Sequence, residues 1–454
     1  MIKVKKNYSI PNRAGADIGS EKIFISPDGE QCESFSTTTE GLKRAMVYLK
    51  SFGIDSVAME ATGVYWMNFY DFCEKEGFDV WLVNPKYTKT RAGRKTDPQD
   101  CMWIQKLHSS DLLEKSFIPG LVIRELREYV RIRESYIESK SKRVNQMHKA
   151  LIQMNLRLDT VLSQVHGASG MKMIKAILAG ERDAQALLNL CDIRIKKTKA
   201  DQVIAALQGN YQVQYLFALQ IALDDYYVYE QRIVTCDKQI EQQLKKMSAH
   251  LEKPKKISKP KPIRHNKPQI DDFQELMQTL FGGKDLTSLP GFTNYSLLRV
   301  MAEIGTNVDP WPTKKHFTSW LNLAPQKHES GKYRKKKNRN RKSHRVGLIF
   351  RQLAQSLIKS KKIALGQFGR RLRYRHGPQV AIKALARKLA ELYYMALSKG
   401  LDYVEKGVAT YQKDYEKGKV KQLMDKAKKM GFQLINVDGE ILNHSTLKSY
   451  ENVS

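Results

Sequence analysis

Five cysteines occur in 454 residues, Cys32, Cys73, Cys101, Cys191 and Cys236, and no two of them form a CxxC pair. Without such a pair there is no zinc-site or disulfide spacing, and reduced core or surface thiols are the expectation. Long apolar runs are missing too. No stretch approaches the roughly 18–20 residues of a membrane-spanning helix, and the N-terminus shows no signal-peptide core. A soluble, cytoplasmic protein is the reading that follows. Acidic residues are in deficit, 47 Asp+Glu against 78 Lys+Arg, which leaves a formal net charge of +31. That excess goes beyond what solubility needs and points to a polyanion partner, nucleic acid rather than membrane surface. The length suits two or three domains with real cores.

What is present is organised around Ala14-Gly15-Ala16-Asp17-Ile18-Gly19-Ser20 and two later segments. These are Ser56-Val57-Ala58-Met59-Glu60-Ala61-Thr62-Gly63 and Lys95-Thr96-Asp97-Pro98-Gln99-Asp100. Each sets a carboxylate where a short apolar run meets a turn or helix start, so one sheet edge would collect Asp17, Glu60, Asp97 and Asp100. Such a cluster needs cations, because like charges a few ångströms apart repel and raise one another's pKa. Mg²⁺ suits it, taking hard oxygen ligands and completing its shell with water and substrate phosphate. Two ions roughly 3.5–4 Å apart would stabilise the attacking and leaving oxygens of an in-line displacement. The reaction class implied is phosphoryl transfer on nucleic acid. A plainer reading stands beside this one. Asp97 with Pro98 and Asp100 is also an ordinary helix start, and Asp17 in a glycine-rich turn is often a turn former.

Residues 1–13 are a basic lead-in. Strands are predicted at Arg13–Ile18, Lys22–Ser26 and Gln31–Ser36, the last after the hairpin signal Pro27-Asp28-Gly29. Then come a helix over Glu40–Ser51 with Leu42, Met46 and Leu49 on one face, a strand ending at Glu60, a helix over Tyr65–Glu76 and a strand Asp79–Val83. A meander followed by alternating helix and strand is mixed α/β and resembles the ribonuclease-H-like fold of RuvC-type nucleases. With the Asp97–His108 helix, this makes residues 1–115 an α/β RuvC-like domain.

Residues 116–252 read as a long coiled-coil region. Leu126, Val130, Ile137, Val144, Met147, Leu151, Met154 and Leu158 recur at heptad spacing, and Leu216 to Leu251 form a second seam. Arg133 and Lys140 interrupt the first seam, Glu230 and Asp237 the second. Their burial would fix register, whether the helices pair within the chain or between subunits. Residues 159–213 read as an inserted helical cap. A basic linker spans 253–284, and a mostly α-helical domain spans 285–400 before a tail at 401–454. That domain opens with Leu289-Pro290-Gly291-Phe292-Thr293, which reads equally as a plain interhelical turn or as a turn resembling helix-hairpin-helix, whose free N–H groups would grip phosphate. Between the apolar helices Val346–Ile358 and Ala381–Leu397 and the preceding Ser330-Gly331 lies the most basic segment. Lys332, Arg334, Lys335, Lys336, Lys337, Arg339, Arg341, Lys342 and Arg345 put nine cations into fourteen residues. Phosphate binding is the role they suggest. On its own, Ser330 before glycine is a turn.

As an ordered set, these motifs resemble the DEDD transposases over residues 14–110 and 285–400. The set includes Leu289-Pro290-Gly291 and Leu323-Ala324-Pro325 followed by Ser330-Gly331. The family comprises insertion-sequence recombinases related to Piv-type DNA invertases and known as bridge-RNA-guided recombinases. The resemblance implies that Asp17, Glu60, Asp97 and Asp100 bind Mg²⁺ and that Ser330 is a nucleophile forming a covalent phosphoserine link to cleaved DNA. It further implies donor and target DNA as substrates, with a structured noncoding bridge RNA whose base pairing supplies most of the specificity. A composite active site in a homotetramer, a dimer of dimers, and a prokaryotic, nucleoid-associated setting also come with it. The chain departs from shorter members in its enlarged coiled-coil region, its tail and its dense basic loop, which is equally suited to RNA contact. Two alternatives remain: a non-catalytic nucleic-acid-binding assembly protein, and a metal-dependent RuvC-like nuclease using water.

Overall fold

Small and apolar residues alternate along the first strand, β1 (Arg13–Ile18), which buries Ala14, Ala16 and Ile18 in one core, the period of two expected of a strand. The structure, a computed structural model, describes residues 10–61, 63–88, 96–325, 344–361 and 363–435. Contacts divide it into two units, Met1–Ile118 and Pro119–Ser454.

In the first unit, β2 (Lys22–Ser26) and β3 (Glu33–Ser36) fold back antiparallel. Asp28 Oδ1 accepts from the Glu30 and Gln31 N–H groups at 2.9 and 3.0 Å, which forms the turn between them. Helix α1 (Thr39–Ser51) starts at Thr38, whose hydroxyl accepts from Gly41 N–H, and it buries Leu42, Ala45, Met46 and Leu49. The chain returns as β4 (Ser56–Glu60), parallel to β1. It then passes through α2 (Trp66–Lys75) to β5 (Asp79–Val83), parallel to β4. The sheet order is β3-β2-β1-β4-β5. One core joins Ala14, Ala16, Val57 and Met59 to residues of α1 and α2. A second, on the opposite sheet face, joins Ala58 and Val83 to Ile104 and Leu107. Those two leucine and isoleucine side chains come from α4 (Asp97–Ser109), which follows the single turn α3 (Pro85–Thr88). The unit is therefore three layers, helices on both faces of a mixed sheet. Its elements start and end within a few residues of the sequence expectation, and α3 is the added piece.

The second unit is helical among its described residues. Helices α5 (Leu121–Gln153) and α10 (Val213–Ser248) lie antiparallel, each roughly 50 Å long at 1.5 Å per residue. Four short helices, α6 (Leu158–Val161), α7 (Ala168–Leu178), α8 (Ala184–Asn189) and α9 (Ile193–Ala206), cap one end of the pair. They pack Met173, Ile177, Leu187 and Val203 onto Met147, Leu151 and Leu219. The first seam ends sooner than its heptads suggest, because Asn155 adopts a left-handed φ of 58° and places Leu158 on α6. Beyond the linker stand α11 (Phe273–Leu280), α12 (Asn294–Ile304), α13 (Lys314–Trp320) and α14 (Arg345–Ile358). They are followed by α15 (Ala364–His376), α16 (Pro378–Lys399) and α17 (Leu401–Lys429), the last in the segment read as a tail. Phe292, Phe317, Phe350 and Tyr393 fill the core between them, with ring centroids 5.9 to 6.4 Å apart. No described helix is long and apolar enough to cross a membrane.

Register between α5 and α10 is set by the charges that interrupt the seams. Arg133 and Asp237 are each 1% exposed, with Nε to Oδ1 at 2.5 Å. Asp237 Oδ2 also accepts from Gln269 N–H at 3.0 Å, and Arg133 donates to the Asn266 carbonyl at 3.0 Å. Lys140 and Glu230 form a looser pair nearer the surface, 3.7 Å apart. Removing one member of a buried pair leaves an uncompensated charge. Asp237→Ala is therefore expected to cost roughly 3–5 kcal/mol, whereas Arg133→Met with Asp237→Leu should recover most of that loss. Denaturant unfolding of wild type, Asp237→Ala and the double variant measures it, and a double variant no more stable than Asp237→Ala would show that the loss does not come from an uncompensated buried charge.

Candidate active site

Two strand ends and one helix start define the site. In the parallel β1–β4 ladder Ala16 pairs with Met59, so Asp17 and Glu60 occupy the next position on neighbouring strands. Alternation places Asp17 on the face of Gly15 and Glu60 on the face of Ala58, the face that α4 covers. Helix α4 lies directly on β1. A Cβ built on Gly15 would stand 2.3 Å from Gln105 N and 2.4 Å from Cys101 O, both backbone atoms. Gln105 Nε2 donates to the Arg13 carbonyl at 2.9 Å, and Arg13 donates to the His108 carbonyl at 2.7 Å. The helix thus runs antiparallel to β1, and its first turn, with Asp97 and Asp100, arrives at the Asp17 end. Thr96 makes no side-chain cap, and Pro98 stands in the first turn, where its missing N–H costs nothing.

Local bonds tune these groups. Glu60 Oε1 accepts from the Thr88 hydroxyl, and Trp103 Nε1 donates to the Thr88 carbonyl at 2.9 Å, tying α3 to α4 beside Glu60. Cys32 and Cys101 face each other with sulfurs 3.1 Å apart. Burial pushes both thiols up, and the Asp17 carboxylate adds to the effect. His108, deep on α4, bonds Ser56 Oγ at 2.9 Å, and burial lowers its pKa to about 4, so it acts as a neutral post.

The four predicted carboxylates therefore reach one end of the sheet, with Asp97 exposed and the other three half-buried. Among the described residues, no three His, Cys, Asp or Glu side chains close into a group that could hold a metal ion. Glu60 is held by the Thr88 hydroxyl, and no three of the four carboxylates converge. Their donor chemistry fits a hard divalent cation, since it consists of carboxylate oxygens on a rigid strand pair and a helix start. Ser330 and the basic residues Lys332, Arg334, Lys335, Lys336, Lys337, Arg339, Arg341 and Lys342 lie outside the described residues. Arg345 opens α14 and pairs with Glu134 and, at 3.2 Å, with Glu303. The Leu289–Thr293 turn differs from the hairpin reading. Thr293 and Ser296 form a capping box that takes up N–H groups expected to be free for phosphate. Sequence reasoning missed Thr88 and the contact at Gly15. A glycine among alanines in a strand is the signal for the second, whereas nothing in the pattern marks the first.

A family model described as a transposase, of the DEDD IS110 type, matches residues 14–156, the span that contains all four carboxylates. Another, described as Transposase IS116/IS110/IS902 family, matches residues 283–367, which include Ser330 and the basic segment. No curated protein matches the chain. The two family matches define the class of protein as a transposase. The chain belongs to the IS110-type DEDD transposases, which cut and rejoin DNA.

Because the Gly15 contact is backbone to backbone, Gly15→Ala forces α4 away from β1. Denaturant unfolding is expected to show a loss of about 1–3 kcal/mol, with transposition falling alongside. Unchanged stability and activity would mean that α4 does not position the acidic turn.

Proposed function

We propose that this transposase uses Asp17, Glu60, Asp97 and Asp100 to hold Mg²⁺ and Ser330 as its nucleophile, under the direction of a structured noncoding RNA. The observation that carries the reading is the placement of Asp17 and Glu60 at successive ends of paired strands, on the face where the first turn of α4 arrives. In this reading the N-terminal unit is RuvC-like and α5 with α10 is the coiled-coil region. The chain is then apportioned as 1–115, 116–252, 253–284, 285–400 and 401–454. Family membership points to divalent-metal dependence, and magnesium is our choice of ion.

Each residue has a distinct task. Asp17 and Glu60, on rigid strands, hold fixed oxygens, and Thr88 orients Glu60 by donating to its carboxylate. Asp97 and Asp100 supply further oxygens from the helix start. When bound, the cation withdraws charge from the scissile phosphate and stabilises the departing oxygen. The Ser330 oxygen bonds to phosphorus as a strand oxygen leaves, and attack by a strand hydroxyl on that phosphoserine rejoins the DNA and frees the serine. Lys332 to Arg345 hold phosphates of DNA or RNA. Donor and target sites are chosen by pairing with the bridge RNA, so that side chains need read little sequence. Four protomers, as a dimer of dimers, would supply the two halves of each composite site.

Recombination between donor and target plasmids in cells, with the native flanking noncoding DNA supplied, tests this. Wild type should give product, whereas Asp17→Asn and Ser330→Ala should both fall to background with DNA and RNA binding kept. Activity surviving Ser330→Ala would replace the serine with water. Tight binding without product from wild type would favour an assembly protein.

A further inference from the structure

Between Glu329 and Glu391 the chain carries twenty Lys and Arg residues and no Asp or Glu. The segment from Lys332 to Arg345 takes only part of that excess. A second concentration falls on the far half of α15, beyond residue 367, where the matched family span ends.

Helix α15 leaves the core halfway along its length. Its buried residues, Ala364, Leu365, Gly366 and Gly369, all lie in the first half. A Cβ on Gly369 would stand 2.6 Å from Ile358 Cγ1, so this half lies close against the end of α14. Arg370 closes the contact, donating to the Ile358 carbonyl at 2.8 Å and to Gln367 Oε1 at 2.7 Å. Beyond it Arg371, Arg373, Tyr374, Arg375 and His376 are all exposed. Helical spacing sets Tyr374 and Arg375 on the face of Arg371, three and four residues on.

Among the described residues, Arg371, Arg373 and Arg375 have no ion pair, and the Tyr374 side chain has neither a ring nor a cation against it. Tyr374 is 94% exposed, the highest value among the exposed large apolar and aromatic side chains. Tyrosines elsewhere in the second unit are covered. Arg143 and Arg232, for example, stand 5.9 and 5.6 Å from the Tyr229 ring centroid. The negative end of the α15 dipole offsets part of the repulsion between the arginines. That explains why cations are tolerated there but not why an aromatic ring is set among them, since a ring in water contributes nothing to the fold.

A ligand that uses both features has a flat face for the ring and anions on either side of it. Nucleic-acid strands have this chemistry, and proteins that hold unpaired strands combine cations with stacking aromatic rings. Duplex DNA covers its base faces by stacking and has to be opened at a cost, whereas loops of a folded RNA present unstacked bases. We propose that Tyr374 is a stacking platform for an unpaired base of a folded RNA, with Arg371 and Arg375 holding the phosphates that flank it. The site uses none of the acidic residues, nor Ser330, nor the basic segment before α14.

Fluorescence anisotropy of the full-length protein in chelator, where no strand chemistry runs, tests it with three labelled strands of equal length. These are oligouridine, an abasic ribose-phosphate strand and oligodeoxyuridine. Wild type is expected to hold oligouridine more tightly than the abasic strand. Tyr374→Ala should weaken oligouridine about tenfold and leave the abasic strand unchanged, and Tyr374→Phe should bind as wild type does. Arg371→Gln should weaken both. If Tyr374→Ala weakens both strands equally, or neither, the ring stacks on no base and α15 ends in a solvated patch, which overturns the proposal. Tighter binding of oligodeoxyuridine than of oligouridine would assign the platform to DNA and overturn the choice of RNA. Recombination by the same preparation with metal restored reports separately on the acidic site.

Discussion

The backbones of β1 and α4 are in contact at Gly15, and the arrival of Asp97 and Asp100 at the strand ends depends on that approach. With any side chain at position 15, the helix would have to lift from the sheet, because the atoms it meets, Gln105 N and Cys101 O, are backbone. The contact fixes the height of α4, the Arg13 and Gln105 bonds fix its direction, and together they carry Asp97 and Asp100 to the strand ends. Parallel pairing of β1 with β4 does the rest by setting Asp17 beside Glu60. Concentrating negative charge in this way opposes folding in the absence of a counterion.

The second unit solves a different problem, holding two helices of 33 and 36 residues in one register. Apolar seams alone allow slippage by a heptad, whereas a buried pair allows only one alignment. Arg133 and Asp237 serve that purpose, and their partners Asn266 and Gln269 extend the tie to the linker. Arg131 and Glu303, 2.8 Å apart, then bind α5 to the end of α12. The aromatic core of the C-terminal helices is thereby anchored to the long pair.

Strands and long helices were legible because their signals are local. Alternation at Ala14, Ala16 and Ile18 and the turn chemistry at Asp28 need no knowledge of the rest of the fold. Asp17 and Glu60 could be read as neighbours for the same reason, since each ends an apolar strand. Features that depend on distant partners were hidden. The single turn bearing Thr88 has no periodicity. The end of α5 depends on Asn155 taking a left-handed conformation, which heptad counting overlooks. The capping box at Thr293 and Ser296 was spelled in the sequence, but the turn before it invited a different reading. Whether Arg133 and Asp237 paired within the chain was likewise open until both helices were in place.

Binding of Mn²⁺, a paramagnetic stand-in for Mg²⁺, tests the acidic site most directly, followed by electron paramagnetic resonance on wild type, Asp17→Asn and Glu60→Gln. Free ion should disappear on adding wild-type protein and remain with either variant, while all three unfold at similar denaturant concentrations. Equal uptake by the variants would contradict the account and place the cation elsewhere in the protein.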